Sequence, residues 1–108
     1  MNALTIEIPF APVPSEQVVD GAPQTGFVPF PRSLSLSKGA GAWAMTPGTM
    51  TDTEASEVFV VVAGRGRVDF IDPPLPSIDL TPGAIVRLDD GQKTVWTVTE
   101  TLRKVYLS

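Results

Sequence analysis

The sequence predicts an all-β fold, closed as a barrel or a sandwich, and three observations carry that prediction. Eleven prolines and nine glycines punctuate 108 residues, so few windows of ten could sustain a helix. Between these breaks apolar residues tend to alternate with polar ones, the period of a half-buried strand. The segment Glu57–Ala63 concentrates four valines and a phenylalanine, residue types that suit a pleated surface. About ten short strands at turn-separated intervals of roughly 8–12 residues indicate a barrel or sandwich.

The elements follow in order. Leu4, Ile6 and Ile8 alternate with Thr5 and Glu7 as a first strand. Pro9, Pro12 and Pro14 stop it, because proline cannot donate to a sheet ladder. Ser15–Asp20 suits a helical turn and a short strand equally. Residues 21–31 read as a surface connection whose Phe27, Val28 and Phe30 cap one end of the core. Leu34 and Leu36, set among serines, mark another short strand. Ala42–Met45 is a strand closed by Thr46-Pro47-Gly48, where proline presets φ and glycine takes the positive φ of a turn. Thr49–Thr53 follows as a polar, β-branched strand. Gly64-Arg65-Gly66 predicts a tight hairpin leading from Glu57–Ala63 into Arg67–Ile71. After a proline-rich loop at Asp72–Pro76, Ser77–Leu80 is a short strand and Thr81-Pro82-Gly83 repeats the earlier turn. Ala84–Leu88, Thr94–Thr99 and Leu102–Leu107 complete the set, with Asp89-Asp90-Gly91 turning between the first two.

The length fits one domain. A net charge of −4 argues against nucleic acid and anionic lipid as partners, since both reward clustered Lys and Arg. The chain contains no cysteine and no histidine. That removes disulfides, thiolate or imidazole ligands, a Cys nucleophile and the Ser–His–Asp arrangement. Carboxylates, Lys, Tyr, hydroxyls and backbone amides are left for any chemistry. Met1–Phe10 has no secretion-signal pattern and the longest apolar run, Val58–Ala63, is too short to span a bilayer. No membrane association and a cytoplasmic location are therefore expected.

Residues 40–108 carry a resemblance. A Trp43 strand with its Pro-Gly turn, Glu57 followed seven residues later by Gly64, Pro82-Gly83 before a buried strand, the Trp96 strand and the closing Arg103-Lys104-Val105-Tyr106 occur in order. This pattern resembles the small single-domain cupins related to ureidoglycine aminohydrolase. The resemblance implies a double-stranded β-helix (a jelly roll), a homodimer and often a divalent metal inside the barrel. It also divides the chain into an N-terminal segment of strands and cap, residues 1–39, packed on a barrel core, residues 40–108.

The family's metal motifs are present without their histidines. Glu57 and Gly64 match the metal-binding Glu and the Gly that follows it after six intervening residues. The two preceding His positions fall on Thr51 and Thr53 at one spacing, or on Met50 and Asp52 at the other. Gly83, Asp89, Gly91 and Thr94 occupy the second motif, so Thr94 stands where the last His ligand would be. Hydroxyls are weak donors for metals that want nitrogen or sulfur, and a hard cation on Glu57 and Asp52 would want more ordered oxygens. No metal cofactor is expected.

Glu57 is the candidate acid or base, facing into the barrel with Phe59 and Val61 two and four residues on. Thr94 and Trp96 share a strand face, and the Trp96 indole N–H needs a partner there. Trp43, Phe59 and Trp96 would form the walls of a small-molecule site, with Thr51, Thr53 and Thr94 as its hydroxyls. Asp52 and Glu54 are expected on the outer face, and Lys93 at the rim. Val58, Val60 and Val62 present an apolar ladder opposite Glu57 that the N-terminal segment, the second sheet or another subunit must cover; with the dimers that the resemblance implies, this leads to the expectation of a homodimer. Three functions compete: a metal-free domain binding a small organic molecule, an enzyme (hydrolase, isomerase or lyase) using Glu57, and a structural or regulatory dimeric subunit.

Overall fold

The computed structural model describes residues 1–34 and 39–108. Its strands are β1 (Ala11–Pro12), β2 (Val18–Asp20), β3 (Gln24–Pro29), β4 (Ala40–Met45), β5 (Gly48–Thr53), β6 (Glu57–Asp72), β7 (Pro74–Leu80), β8 (Ile85–Leu88) and β9 (Lys93–Leu107). Single 3-10 turns at Ser15–Gln17 and Arg32–Leu34 are the helical pieces among the described residues. None of the helices in that part is long and apolar enough to cross a membrane.

Two long strands organise the fold. β6 and β9 pair antiparallel along nearly their whole length. The first half of β6 lies between β8 and the second half of β9, which is flanked in turn by β4 and β3. The second half of β6 lies between β7 and the first half of β9, flanked by β5 and β2. Two antiparallel layers therefore share two bent strands, which makes the molecule a double-stranded β-helix, a jelly roll.

The bend corrects one expectation. Gly64-Arg65-Gly66 does not close a hairpin; β6 continues through it, and β9 likewise continues through residues 100–101 that were expected to separate two strands. The ladder slips register between Val61 and Gly66, as it does where a strand turns a barrel corner. Gly64 sits at φ +90°, and a Cβ there would strike the Thr101 backbone carbonyl. The glycines permit the corner and the close approach of β9.

Alternation sorts the side chains. Met45, Phe59, Val61, Val68, Leu80, Val86, Leu88, Trp96, Val98 and Leu102 fill the space between the layers. Each such buried side chain contributes about 1.5–3 kcal/mol relative to exposure. On the outside of β4, Ala42 and Ala44 are small enough for Ile8 to lie against them, with Ile6, Val28 and Phe30 alongside.

The N-terminal residues reach that position without forming the first strand expected for residues 4–8. They coil through a turn in which Ile6 N–H donates to the Asn2 carbonyl (2.9 Å), and Arg103 donates to the Ile6 carbonyl (2.8 Å). Residues 24–29, expected as a connection, form β3 instead, because β4 offers its edge. Phe27 is 59% exposed and caps nothing. The strand expected at Leu34 and Leu36 falls partly in the second 3-10 turn and partly outside the described residues.

Candidate functional site

One end of the barrel interior is apolar, closed by Met45, Leu80, Val98 and Leu102, all nearly inaccessible. The other end is polar. β6 brings Glu57 to it, β5 brings Asp52, and β9 brings Thr94, Lys104 and Tyr106. Their order follows the register: Trp43 lies opposite Lys104, Phe59 opposite Tyr106, and Asp52 opposite Thr94.

Lys104 is the centre of this arrangement. Only 5% exposed, it aligns between Leu102 and Tyr106 on the inward face of β9 and extends toward Glu57. Its Nζ donates to Glu57 Oε2 at 2.6 Å. The same ammonium lies 4.2 Å from the centre of the Phe59 ring, 4.5 Å from that of Trp43 and 4.8 Å from that of Trp96. All three are within the range where an aromatic face attracts a cation. The rings support one another, Trp96 standing 5.4 Å from Trp43 and 5.7 Å from Phe59 between centroids. Burial lowers the Lys104 pKa from the usual lysine value, while Glu57, Glu54 and Asp52 oppose that shift.

A second polar cluster adjoins the first. Glu54 Oε2 accepts from the Thr94 hydroxyl at 2.6 Å and from Trp96 Nε1 at 2.9 Å, and Glu54 is only 8% exposed. Its backbone is locked to the turn before β9: Glu54 N–H donates to the Gln92 carbonyl, and Gly91 N–H donates to the Glu54 carbonyl, each at 2.8 Å. This double tie turns the carboxylate inward. Asp52 lies beside it, its pKa raised to about 6, first by burial and second by the charge of Glu54. Tyr106 is also raised, by burial and then by Glu57. No buried side-chain nitrogen or oxygen among the described residues lacks a hydrogen-bond partner, as a settled polar interior requires.

The structure thus brings Glu57, Trp43, Phe59, Thr94 and Trp96 together at the polar end. Thr51 and Thr53 stand elsewhere. Their strand faces put them outside, where Thr51 exchanges hydrogen bonds with Gln17 and Thr53 accepts from Lys93 Nζ at 3.4 Å. Both border an outer groove of about 320 Å³ that Asp52, Lys93 and Thr94 also line. Asp52 and Glu54, expected outside, are the members of β5 and its extension that turn in. Period two carried the signal, for Met50, Asp52 and Glu54 share a phase and Met50 is a core residue. Lys104 was also missed, although it alternates in phase with Leu102 and Tyr106.

Of the two spacings read in the sequence, Met50 and Asp52 share the inward phase and Asp52 lies opposite Thr94, whereas Thr51 and Thr53 face out. Among the described residues no group of three or more His, Cys, Asp or Glu is placed to hold a metal ion. Glu57, the one carboxylate matching the motif, already faces an ammonium. This donor set, a thioether, a hydroxyl and carboxylates of which one is already bonded to the protein's own cation, offers no imidazole or thiolate and does not suit a borderline transition ion.

Jelly-roll topology, the Glu57-to-Gly64 spacing and an inward-facing site at one barrel end define a cupin. The chain belongs to the EutQ-like cupin domain family, whose model matches residues 34–106. Solved structures agree on the fold. The EutQ protein of Clostridium difficile is 19% identical, with 95% of this chain and 79% of that one covered at a TM-score of 0.64. A protein of unknown function from Pseudomonas syringae pv. tomato is 18% identical at a TM-score of 0.73, covering 94% of this chain. The match spans only 44% of that longer protein. A cupin-like protein from Thermotoga maritima is 11% identical at a TM-score of 0.64, with 96% and 80% covered. No curated protein matches the chain significantly.

Proposed function

We propose that this cupin domain binds a small polar organic molecule at the polar end of its barrel and does so without a metal. One observation carries the reading. At the family's metal position Glu57 holds the buried Lys104 ammonium beneath Trp43, Phe59 and Trp96. Positive charge is thereby supplied by the chain, and the half-buried Trp43 and Tyr106 remain partly accessible at the mouth. A flat aromatic wall with a few converging polar groups is the usual form of a small-molecule site. The kinship with cupins related to ureidoglycine aminohydrolase belongs to the same proposal, resting on the order of motifs from Trp43 to Tyr106. Fold alone assigns no reaction.

The test is a thermal-shift and calorimetric screen of small polar metabolites on protein stripped with EDTA. Saturable binding that survives EDTA and weakens at least tenfold in Trp43→Ala supports the reading. Binding that vanishes with EDTA and returns with Mn²⁺ contradicts it. Turnover of a bound compound, abolished by Glu57→Gln, would move the protein to the enzyme class.

The covering of the valine face is proposed on a separate observation. Val58, Ile85 and Leu107 are 41%, 76% and 52% exposed, and with Val60 and Val105 they line an apolar groove of about 250 Å³. A second copy of the chain seated there would form the homodimer that the sequence leads one to expect.

A further inference from the structure

We propose that the centre of this barrel is an ammonium site that the chain fills from within, Lys104 Nζ standing as a tethered cation where cupins of this pattern would hold a metal. The inference concerns the protein's own cation and stands whether or not an outside ligand binds.

Three observations lead to it. The ammonium has one carboxylate partner at hydrogen-bond distance, Glu57, and three aromatic faces within 5 Å. Such a surround matches a primary ammonium and serves a divalent ion poorly, because π-faces cannot replace the several oxygen or nitrogen donors that a metal demands. Second, the surrounding charge calls for a cation. Asp52, Glu54 and Glu57 all act electrostatically on Lys104, and it is the one cationic side chain among the buried residues. Third, the position cannot be left empty cheaply. Lys104 is 5% exposed and its ammonium lies among Trp43, Phe59 and Trp96, so removing the side chain beyond Cβ would leave a buried slot sized for a three-carbon chain ending in nitrogen.

That last point makes the site testable with a small molecule. Lys104→Ala retains Cβ and deletes the atoms of propylamine, so propylammonium is the matching probe. The expected result is a saturable rise of several degrees in the Tm of Lys104→Ala with propylammonium chloride, and no comparable rise for the wild type. 1-Propanol, the uncharged analogue, should do much less, and MnCl₂ or CaCl₂ should not substitute. Equal rescue by 1-propanol would reduce the site to apolar volume and overturn the proposal. Greater rescue by a divalent ion would overturn it too, by showing a latent metal site of carboxylates.

If Lys104→Ala does not fold in plain buffer, two further measurements decide. Refolding in propylammonium but not in 1-propanol supports the proposal, and refolding in neither contradicts it. In the wild type, the Lys104 Hε resonances should lie well upfield of those of exposed Lys93, shifted by the three rings. Ordinary positions would show that the ammonium does not occupy the cage.

Discussion

Asp52 and Lys104 show how a residue's chemistry follows from where its strand points it. Asp52 is half-buried beside Glu54, and its carboxyl holds a proton up to about pH 6 against 3.8 for the free side chain. The folded state binds that proton more tightly than the unfolded chain does. Its contribution to stability is therefore complete below pH 3.8 and is lost as pH rises through about 6. Urea denaturation across this window should show stability declining with pH, and Asp52→Asn should flatten that part of the profile. A profile unchanged by the substitution would place the titration elsewhere. Glu57 and Trp96 were legible as inward-facing because both sit in strongly apolar alternation. Lys104 was not, since a lysine between Arg103 and Val105 reads as solvated until Glu57 and Phe59 of β6 and Trp43 of β4 are brought to it, beside Trp96 of its own strand. Glu54 was legible only in part: it shares a phase with Met50 and Asp52, but its inward turn also depends on a backbone tie to Gly91 and Gln92, remote in sequence.

At the scale of elements, the bend in β6 does the most to form the barrel. Local turn chemistry at Gly64-Arg65-Gly66 reads as a hairpin, and only the long-range pairing with β9 shows that the same glycines serve a corner. Gly64 and Gly83 both hold positive φ, at +90° and +97°. They differ in their surroundings. A Cβ at Gly64 meets β9 backbone, whereas one at Gly83 meets nothing within 4 Å. Gly83→Ala should cost about 1–2 kcal/mol, the price of the left-handed backbone alone. Gly64→Ala should cost clearly more, because the backbone of β9 must also shift. Equal losses in chemical denaturation would mean that the corner yields easily. The strands themselves were mostly readable from alternation after Ala42. The N-terminal part was not, since Ile6 and Ile8 gain their burial from the outer face of β4 and not from a ladder of their own.

The whole molecule is an all-β jelly roll, as its composition and turn spacing lead one to expect, with a polar end and an apolar outer ladder. Ile85, at 76% exposure, can be replaced without disturbing the core. If a second copy covers this face, Ile85→Asp should convert a dimer of two 11.5 kDa chains into a monomer in size-exclusion chromatography with light scattering, with folding intact. A wild-type protein that is already monomeric would remove the dimer from the account. A net charge of −4 gives the chain as a whole no electrostatic attraction to phosphate backbones, which agrees with the small-molecule role proposed above.

The proposed function rests on the Lys104 ammonium, and not a metal ion, being the cation in the heart of this barrel. The direct measurement is a high-resolution crystal structure of protein grown in excess MnCl₂, with anomalous scattering recorded for manganese. The account predicts Lys104 Nζ within hydrogen-bond distance of Glu57 and no anomalous peak between Asp52, Glu54 and Glu57. A manganese peak bonded to Glu57, with Lys104 swung away, would contradict it.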